Sequence, residues 1–287
     1  MPTYFPMMTG GLIITQRPYQ SSCEFSTIYQ DVDTSRPYGV PQRGSGLLGD
    51  DSSELFPLNP LGNFNINFVA MEDADWATLN AFFVSMAGRY GEFIFLDPNG
   101  NLINNSEDFT KSTWNATSVS IGLGTTDPFG GGRATLLTAT STNSNFVSTV
   151  LPLGSASGQT LTASVYVKPS SSGQSMCIGF VDSGFSVLAN TITPCPVGKW
   201  TRIQCTIELA TSSYIRVLIG GFGTWNSTTV ALFGPQCSPL PDAGGYVKSP
   251  DNYGYHPTCR FDADVLTRKT IGPNQNSTSI PVVEYSS

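Results

Sequence analysis

The chain has 287 residues, of which 39% are hydrophobic and only 12% are charged, and its formal net charge is −7. Its length allows two domains of ordinary size, and its 29 glycines and 20 prolines favour strands and tight turns over long charged helices. No basic cluster is present to displace counterions from a phosphate backbone, so nucleic acid is not an expected partner. No apolar run approaches the ~20 residues that span a bilayer, so membrane insertion is not expected. No secretory signal pattern is visible either, so we expect folding in the cytosol.

A strand followed by a helix is predicted at residues 63–91. In NFNINFVA (63–70), phenylalanine and isoleucine alternate with asparagine, which is the period of a half-buried strand. The next stretch predicts one helix, with Asp73 as its N-cap and Gly88 as its C-cap. We expect this helix to pack on a sheet formed by NFNINFVA and by the following strand, EFIFL. The apolar stripe that would make the contact consists of Trp76, Leu79, Phe83 and Met86.

Residues 101–249 are rich in Ser, Thr, Asn and Gly, and they predict short strands separated by turns. In TLTASVYVKPS (160–170) and KWTRIQCTIEL (199–209), apolar residues occupy every second position. Two more strands are predicted in SYIRVLIGGF (213–222) and TTVALFGPQ (228–236). Such regular alternation indicates antiparallel sheets with one buried and one wet face, as in a sandwich or jelly roll.

The last part of the chain predicts the completion of a domain that began before residue 100. CRFDADVLTRKTIGPNQNSTSIPVVEY (259–285) has two or three strands, too few to bury a core alone. We therefore predict a mainly β protein in which residues 1–100 and 250–287 form one small β-domain with a packed α-helix. An antiparallel β-sandwich, 101–249, is inserted into it at the turn Asp97-Pro98-Asn99-Gly100, because exposed turns accept domains whose ends lie close together.

The chain offers few residues for catalysis. His256 is the only histidine, so a Ser-His-Asp or Cys-His arrangement would have to use it, and a structural or exposed role is favoured. The six cysteines follow no metal-binding spacing, and we expect them to be unpaired and structural. GGGR at 130–133 is interpreted as a flexible turn, since no phosphate-binding motif surrounds it. We predict no catalytic residue and no cofactor.

Acidic residues of the predicted sandwich leave two alternatives open. A glycosidase needs two carboxylates that face each other across the sugar. The available carboxylates are Glu107, Asp108, Asp127, Asp182, Glu208 and Asp242. Glu107 and Asp108 are also candidates for a structural calcium site, because Ca²⁺ prefers hard oxygen ligands. The favoured interpretation of that pair is a capping turn before a strand.

Sugar binding is a further possibility, because an exposed aromatic ring can stack on a pyranose while Asn, Asp and Arg bond its hydroxyls. The aromatic candidates outside the alternating core positions are Trp225, Tyr214, Trp114 and Tyr246. Trp225 is the first choice, since GFGTWNSTT (221–229) indicates a loop between strands. Trp114 could instead plug one end of the sandwich, and Tyr246 could anchor the last segment.

Several stretches resemble bacteriophage tail proteins. ADWATLNAFFVSMAGRYGEFIFLDP (74–98), continued across the insertion by CRFDADVLTRKTIGPNQNSTSIPVVEY, resembles the distal tail and minor tail proteins of long-tailed phages and gene transfer agents. The insertion begins NLINNSEDFTKSTW, continues KWTRI and closes TWNSTTVALFGPQCSPLPDAGGYVKS. It resembles the carbohydrate-binding-like jelly rolls that phage tail and adsorption proteins carry.

The resemblance implies a structural virion protein that is made in the cytoplasm of the bacterial host. Its split domain would form a homo-oligomeric ring, a hexamer, that links the tail tube protein to the tip, hub or baseplate proteins. Its jelly roll would face outward and bind host cell-surface polysaccharide. Two alternatives stay open: a tail-fibre or receptor-binding protein docked by its N-terminal domain, and a virion enzyme that degrades glycan. DSSELFPLNPLG (51–62) is expected to be a loop or an arm that contacts a neighbour.

Overall fold

The computed structural model describes residues 4–6, 12–16, 60–141, 144–148, 151, 153, 158–171, 174–209, 214–220, 228–249 and 254–285. For residues 12–16, 60–63, Leu123 and Tyr285 it describes the backbone only. Within these ranges the protein is mainly β, with sixteen strands and one α-helix, which confirms the predicted fold class. None of the helical segments in these ranges reaches the length and hydropathy that a membrane span requires.

In the described ranges the strands follow one another along the chain with one α-helix among them. They are β1 (Leu12–Gln16), β2 (Pro60–Met71), β3 (Phe93–Leu96), β4 (Trp114–Thr117), β5 (Val119–Thr125), β6 (Ala134–Ala139), β7 (Asn145–Ser148), β8 (Thr160–Pro169), β9 (Ser175–Val181), β10 (Val187–Pro194), β11 (Thr201–Glu208), β12 (Arg216–Gly220), β13 (Thr229–Ser238), β14 (Tyr255–Phe261), β15 (Lys269–Gly272) and β16 (Gln275–Tyr285). The helix α1 (Asp73–Ser85) and a short 3-10 helix (Gly88–Tyr90) connect β2 to β3.

The chain separates into two compact units. One, the sandwich unit, comprises Leu96–Tyr255, and the other, the split unit, contains the described residues on either side of it. The split unit is built on one six-stranded sheet with the order β1-β2-β16-β14-β3, in which β15 pairs with β16.

Alternation along β2 builds the core of the split unit. Phe64, Ile66 and Phe68 are buried on one face, as the sequence pattern predicts. The helix α1 covers this face and buries Leu79 and Phe83 against it. The rest of this core consists of Met71, Phe93, Phe95, Cys259, Phe261, Ile280 and Val282, with Phe5, Trp76, Phe82, Met86 and Leu266 partly buried against it. The predicted packing of the helix on these strands is confirmed.

The two ends of the helix differ from the predicted caps. The helix begins at Asp73, and Glu72 occupies the N-cap position without a side-chain hydrogen bond. The amide of Asp73 donates instead to Oδ1 of Asn274, 2.9 Å away, so a tertiary contact satisfies the first turn. Met86 is the C-cap, two residues before Gly88. The prediction of Asp73 and Gly88 as caps was therefore wrong, because local sequence does not reveal an acceptor that lies far along the chain.

The single histidine is packed inside the split unit. Nδ1 of His256 lies 2.8 Å from Oε2 of Glu284, and the two side chains are 13% and 9% exposed. The imidazole ring also contacts Phe64, with 4.6 Å between ring centroids. These contacts give His256 a structural role in the core, in line with the favoured interpretation.

The sandwich unit consists of two five-stranded sheets, and every pair of neighbouring strands in their described orders is antiparallel. The first sheet has the order β11-β8-β13-β6-β5, and the second sheet has the order β10-β9-β12-β7-β4. Both contribute fully buried aliphatic side chains, such as Val165 and Val167 of β8 and Ile178 of β9. The strands predicted from alternation at 160–170 and 199–209 are present as β8 and β11 and pair with each other.

The ends of the sandwich unit meet at the turn that follows β3. The amide of Asp97 donates to the carbonyl of Gly254, and the amide of Gly100 donates to the carbonyl of Asp97, each at 2.9 Å. A Cβ on Gly254 would lie 3.0 Å from the amide nitrogen of Asn101, so the two segments are in close contact. The chain therefore turns at Asp97–Gly100, and the first and last segments of the sandwich unit lie side by side.

The described cysteines are buried and carry free thiols: Cys177, Cys195, Cys205, Cys237 and Cys259. Burial raises the pKa of the Cys177, Cys195 and Cys205 thiols, which keeps them protonated and unreactive. They pack as small apolar residues, as the sequence predicts for unpaired cysteines, while Cys23 lies outside the described residues.

Candidate functional site

The structure describes three of the four aromatic candidates for sugar stacking. Trp225, the first choice, lies outside the described residues together with the loop around it. The same holds for residues 51–59 of the proposed arm, DSSELFPLNPLG. Trp114, Tyr246 and Tyr214 lie within the described residues, so their surroundings show whether each ring could contact a sugar.

Trp114 is a packing residue at the start of β4. Its side chain is only 6% exposed. The indole N–H donates to the carbonyl of Asn105 at 3.2 Å, and the ring contacts Phe109 with 5.0 Å between centroids. A ring with its polar atom satisfied and its faces covered offers no surface to a sugar, so the end-plug alternative describes Trp114 better than the ligand role.

Tyr246 anchors the last segment of the sandwich unit. Its hydroxyl donates to Oε1 of Glu107 at 3.2 Å and lies 3.0 Å from Oγ of Ser106. Its ring meets Phe233 edge to face, with 5.0 Å between centroids. Burial raises the pKa of Tyr246, so the hydroxyl remains a donor. The anchoring alternative therefore fits Tyr246 better than a role in stacking.

Glu107 forms ion pairs with two basic side chains. Nη1 of Arg133 lies 3.0 Å from Oε1, and Nζ of Lys248 lies 2.8 Å from Oε2. The neighbouring carboxylate, Asp108, accepts the Thr110 hydroxyl at 2.5 Å, and this bond and that from the Thr110 amide hold the pKa of Asp108 below its usual value. A calcium ion would compete with the positive charges already on Glu107. Among the described residues no group of three or more His, Cys, Asp and Glu is arranged to hold a metal.

Asp127 organises the glycine-rich turn at 130–133. Its buried carboxylate accepts hydrogen bonds from the amides of Phe129 (2.8 Å) and Gly131 (3.1 Å) and from Nε of Arg133 (3.0 Å). A Cβ on Gly131 would lie 2.6 Å from Oδ2 of Asp127, so the close approach requires glycine. The segment interpreted as a flexible turn is thus a turn fixed by one buried acid.

The outer face of the second sheet carries a group of side chains that sequence reasoning missed. Val217 and Ile219 of β12 are fully buried, so strand alternation places Arg216 and Leu218 on the opposite face. Leu218 lies in a separate apolar cluster on that face, together with Val147 and Val181. This cluster is apolar, and Arg216, the first residue of β12, lies on the same face of the sheet.

Phe185, in the turn between β9 and β10, forms a platform for Arg216. The turn is held by Oδ1 of Asp182, which accepts from the amides of Gly184 and Ser186, each at 2.8 Å. Phe185 has a φ of 64°, a conformation that bulky residues rarely adopt. Its ring is 48% exposed, and its centroid lies 4.7 Å from Cζ of Arg216. This geometry is a cation–π contact that fixes the plane of the guanidinium.

Arg216 differs from the other two arginines of residues 101–249. Arg133 forms an ion pair with Asp127, and Arg202 donates from Nη2 to the hydroxyl of Ser164 at 2.9 Å. Nε of Arg216 is buried and has no hydrogen-bond partner. Within the described part of the chain, the guanidinium of Arg216 forms no ion pair. Its cation–π contact is with the ring of Phe185.

Tyr214 and two residues of β10 complete this surface. Burial alternates from Tyr214 through Ile215 to Arg216, which places Tyr214 on the same side as Arg216, and Tyr214 is 65% exposed. Asn190 and Ile192 of β10 are also exposed on this face. We call Tyr214, Phe185, Arg216, Asn190 and Ile192 the outer surface. It combines aromatic rings, an amide and a cation, and it is suited to binding rather than to acid–base chemistry.

Comparison with known proteins gives weak similarity in fold only. No protein-family model matches the chain, and no curated protein matches it. The enzymatically active domain of tailspike protein 4 of bacteriophage CBA120 matches 50% of this chain and 22% of its own at 14% identity, with a TM-score of 0.38. The C-terminal family 22 carbohydrate binding module of Clostridium thermocellum Xyn10B matches 52% of this chain and 99% of its own at 12% identity, with a TM-score of 0.41.

A third solved structure, the CBM22-1 xylan-binding domain of Paenibacillus barcinonensis Xyn10C, matches 53% of this chain and 95% of its own. Its identity is 14% and its TM-score is 0.35. Similarity at this level carries no argument about function, so the function has to be argued from the side chains of the sandwich unit itself.

Proposed function

We propose that the chain is a structural subunit of a bacteriophage tail whose sandwich unit binds glycans on the host surface. The observation that supports the binding role is the outer surface, on which the exposed ring of Tyr214 lies on the same side as the Phe185–Arg216 pair. The tail role rests on the resemblance of 74–98 and 259–285 to distal and minor tail proteins. The proposal places the protein in the virion after its synthesis in the host cytoplasm.

The chemistry of the outer surface fits a sugar. Aromatic rings present flat apolar faces that match the C–H face of a pyranose. The amide of Asn190 and the donors of Arg216 can bond hydroxyls. Individual sites of this kind bind weakly, and a tail that carries several copies gains strength because the copies engage together.

The split unit is the proposed assembly element, which forms a hexameric ring between the tail tube and the tip, hub or baseplate proteins. Within the described residues, β15 pairs only with β16, and an edge strand of this kind can pair with a strand of a neighbouring subunit. Val84 and Val265 of this unit are 67% and 69% exposed, as residues in a subunit contact are before assembly. These features support assembly through the split unit.

The proposed role is non-catalytic. A glycosidase needs a general acid with a raised pKa. In the sandwich unit, hydrogen bonds hold the pKa of Asp108 and of Asp127 below their ordinary values. Glu107 forms ion pairs with Arg133 and Lys248. None of these three carboxylates is therefore arranged as the general acid of a glycan-degrading enzyme.

Binding of the purified full chain to a panel of bacterial surface polysaccharides tests the proposal. Tyr214→Ala is expected to weaken binding about three- to tenfold, because it removes one stacking ring. Tyr90→Ala is the matched control, since Tyr90 is 76% exposed but belongs to the split unit. Absence of binding to every polysaccharide, or equal losses in the two variants, would contradict the glycan-binding role.

A further inference from the structure

The guanidinium of Arg216 presents one free edge on the outer surface. One face of the group lies on the Phe185 ring, and Nε is buried, so the two terminal nitrogens remain as donors. Two parallel N–H donors match the two oxygens of a carboxylate, and such bidentate pairs are stronger than bonds to neutral hydroxyls. The platform holds the donors in place before a ligand arrives, which reduces the entropy lost on binding.

We propose that the outer surface selects acidic glycans, with Arg216 binding the carboxylate of a uronic or similarly acidic sugar. The inference rests on the proposed glycan-binding function and names the class of sugar. A cation without a protein partner is costly to keep partly buried. A carboxylate on the ligand supplies that partner, whereas a neutral sugar leaves the charge unpaired.

The distribution of charge supports an acidic ligand. Residues 101–249 contain seven Lys and Arg and six Asp and Glu, whereas the remaining residues contain seven Lys and Arg and fifteen Asp and Glu. The formal charge is therefore +1 in the predicted sandwich and −8 in the remaining residues, so a polyanion meets no excess of negative charge at the sandwich. Asp182, in the turn that carries Phe185, accepts hydrogen bonds from the amides of Gly184 and Ser186 and forms no ion pair with Arg216 in the described structure.

The test compares acidic oligosaccharides with their carboxyl-reduced forms. Oligogalacturonate, alginate oligosaccharides and hyaluronan oligosaccharides are each titrated into the full chain by calorimetry, beside the same oligosaccharide with its carboxyl groups reduced to alcohols. We expect at least one acidic form to bind about tenfold or more tightly than its reduced partner. This preference should shrink as salt is raised, because the charged groups are partly exposed.

Arg216→Gln should abolish the preference while leaving the weaker binding of the reduced sugar in place. Arg216→Lys, which keeps the positive charge but loses the two parallel N–H donors of the guanidinium, should give an intermediate preference. Lys199→Gln removes an exposed positive charge elsewhere in the sandwich unit and should leave the preference unchanged. Thermal unfolding of each variant establishes that the fold is retained.

The outcomes separate the two proposals. Equal binding of acidic and reduced forms, or a preference that survives in Arg216→Gln, would overturn the assignment of Arg216 and leave glycan binding intact. Failure of the wild-type chain to bind any oligosaccharide or surface polysaccharide would overturn the proposed function and this inference together.

Discussion

Asp127 illustrates how one carboxylate determines a turn and makes stability depend on pH. Burial by itself raises the pKa of Asp127, but the hydrogen bonds from Phe129, Arg133 and Gly131 outweigh burial and hold the pKa below its ordinary value. A carboxylate with a lowered folded-state pKa contributes stability above its unfolded-state pKa, which is about 3.9. That contribution is lost as pH falls through the folded-state value.

The first prediction concerns this acid. The wild-type chain should lose thermal stability below about pH 4, and Asp127→Asn should reduce stability at neutral pH and flatten the pH dependence. Unfolding temperatures measured between neutral and acidic pH give the comparison. Asp242→Asn, at an exposed carboxylate of the same unit, serves as the control and should retain the wild-type profile. An unchanged pH profile in Asp127→Asn would show that the turn does not depend on the charge.

Gly234 gives a second prediction at the residue scale. It has a φ of 58°, and a Cβ there would lie 2.7 Å from the ring of Tyr246. Gly234→Ala should therefore destabilise the sandwich unit by about 1–3 kcal/mol, through backbone strain and displacement of the ring. In Gly132→Ala nothing lies within 4 Å of the added methyl, and the effect should stay within about 0.5 kcal/mol. Chemical denaturation compares the two, and equal stabilities would contradict the prediction.

The burial of a single residue could be predicted from the sequence where it follows from local alternation. The role of a residue could not be predicted where it depends on a segment that is distant in the chain. Val165 and Val167 are buried, as the alternation of apolar and polar residues along this strand predicts by itself. The role of Arg216 does not follow from alternation, because its partner Phe185 lies in another turn and adopts an uncommon backbone conformation there. The only sign of this role in the sequence is that Arg216 is a charged residue at the start of an apolar strand.

At the scale of elements, Asn101 joins the first and last segments of the sandwich unit. Its Nδ2 donates to the carbonyls of Pro235 (3.1 Å) and Val247 (3.0 Å). Its Oδ1 accepts from the amides of Ile103 and Cys237, each at 3.0 Å. One buried side chain thus satisfies four backbone groups that belong to three different stretches of chain.

The third prediction is that Asn101→Ala destabilises the sandwich unit strongly. Each buried group that loses its partner costs about 1–3 kcal/mol, so a loss of about 3 kcal/mol or more is expected from four groups. Asn115→Ala, at an exposed asparagine on β4, should change stability by less than about 0.5 kcal/mol. Urea unfolding of both variants measures the difference, and a nearly neutral Asn101→Ala would mean that water replaces the side chain.

Elements were predicted more reliably than their ends. The periods of NFNINFVA and of the following stretch predicted β2 and α1 correctly, because long apolar patterns depend on many residues. The helix caps were wrong, since Asn274 supplies the acceptor at the start of the helix and the sequence gives no sign of that contact.

At the scale of the whole molecule, the proposed function depends on two units with separate tasks. The split unit has its own core of phenylalanine and aliphatic residues, and the sandwich unit has two five-stranded sheets. The sequence predicts a domain boundary at the turn that begins at Asp97, because the composition of the chain changes directly after this turn. The outer surface was less predictable, since it combines residues of β10, of β12 and of the turn between β9 and β10, which the assembled second sheet brings together.

The central claim, that this chain is an assembling tail subunit, is tested most directly by its native mass. Light scattering of the purified full chain over a concentration series should show a closed oligomer of about six subunits that persists on dilution. A trimer would contradict the ring and favour a fibre or receptor-binding protein. A monomer at every concentration would contradict self-assembly through the split unit.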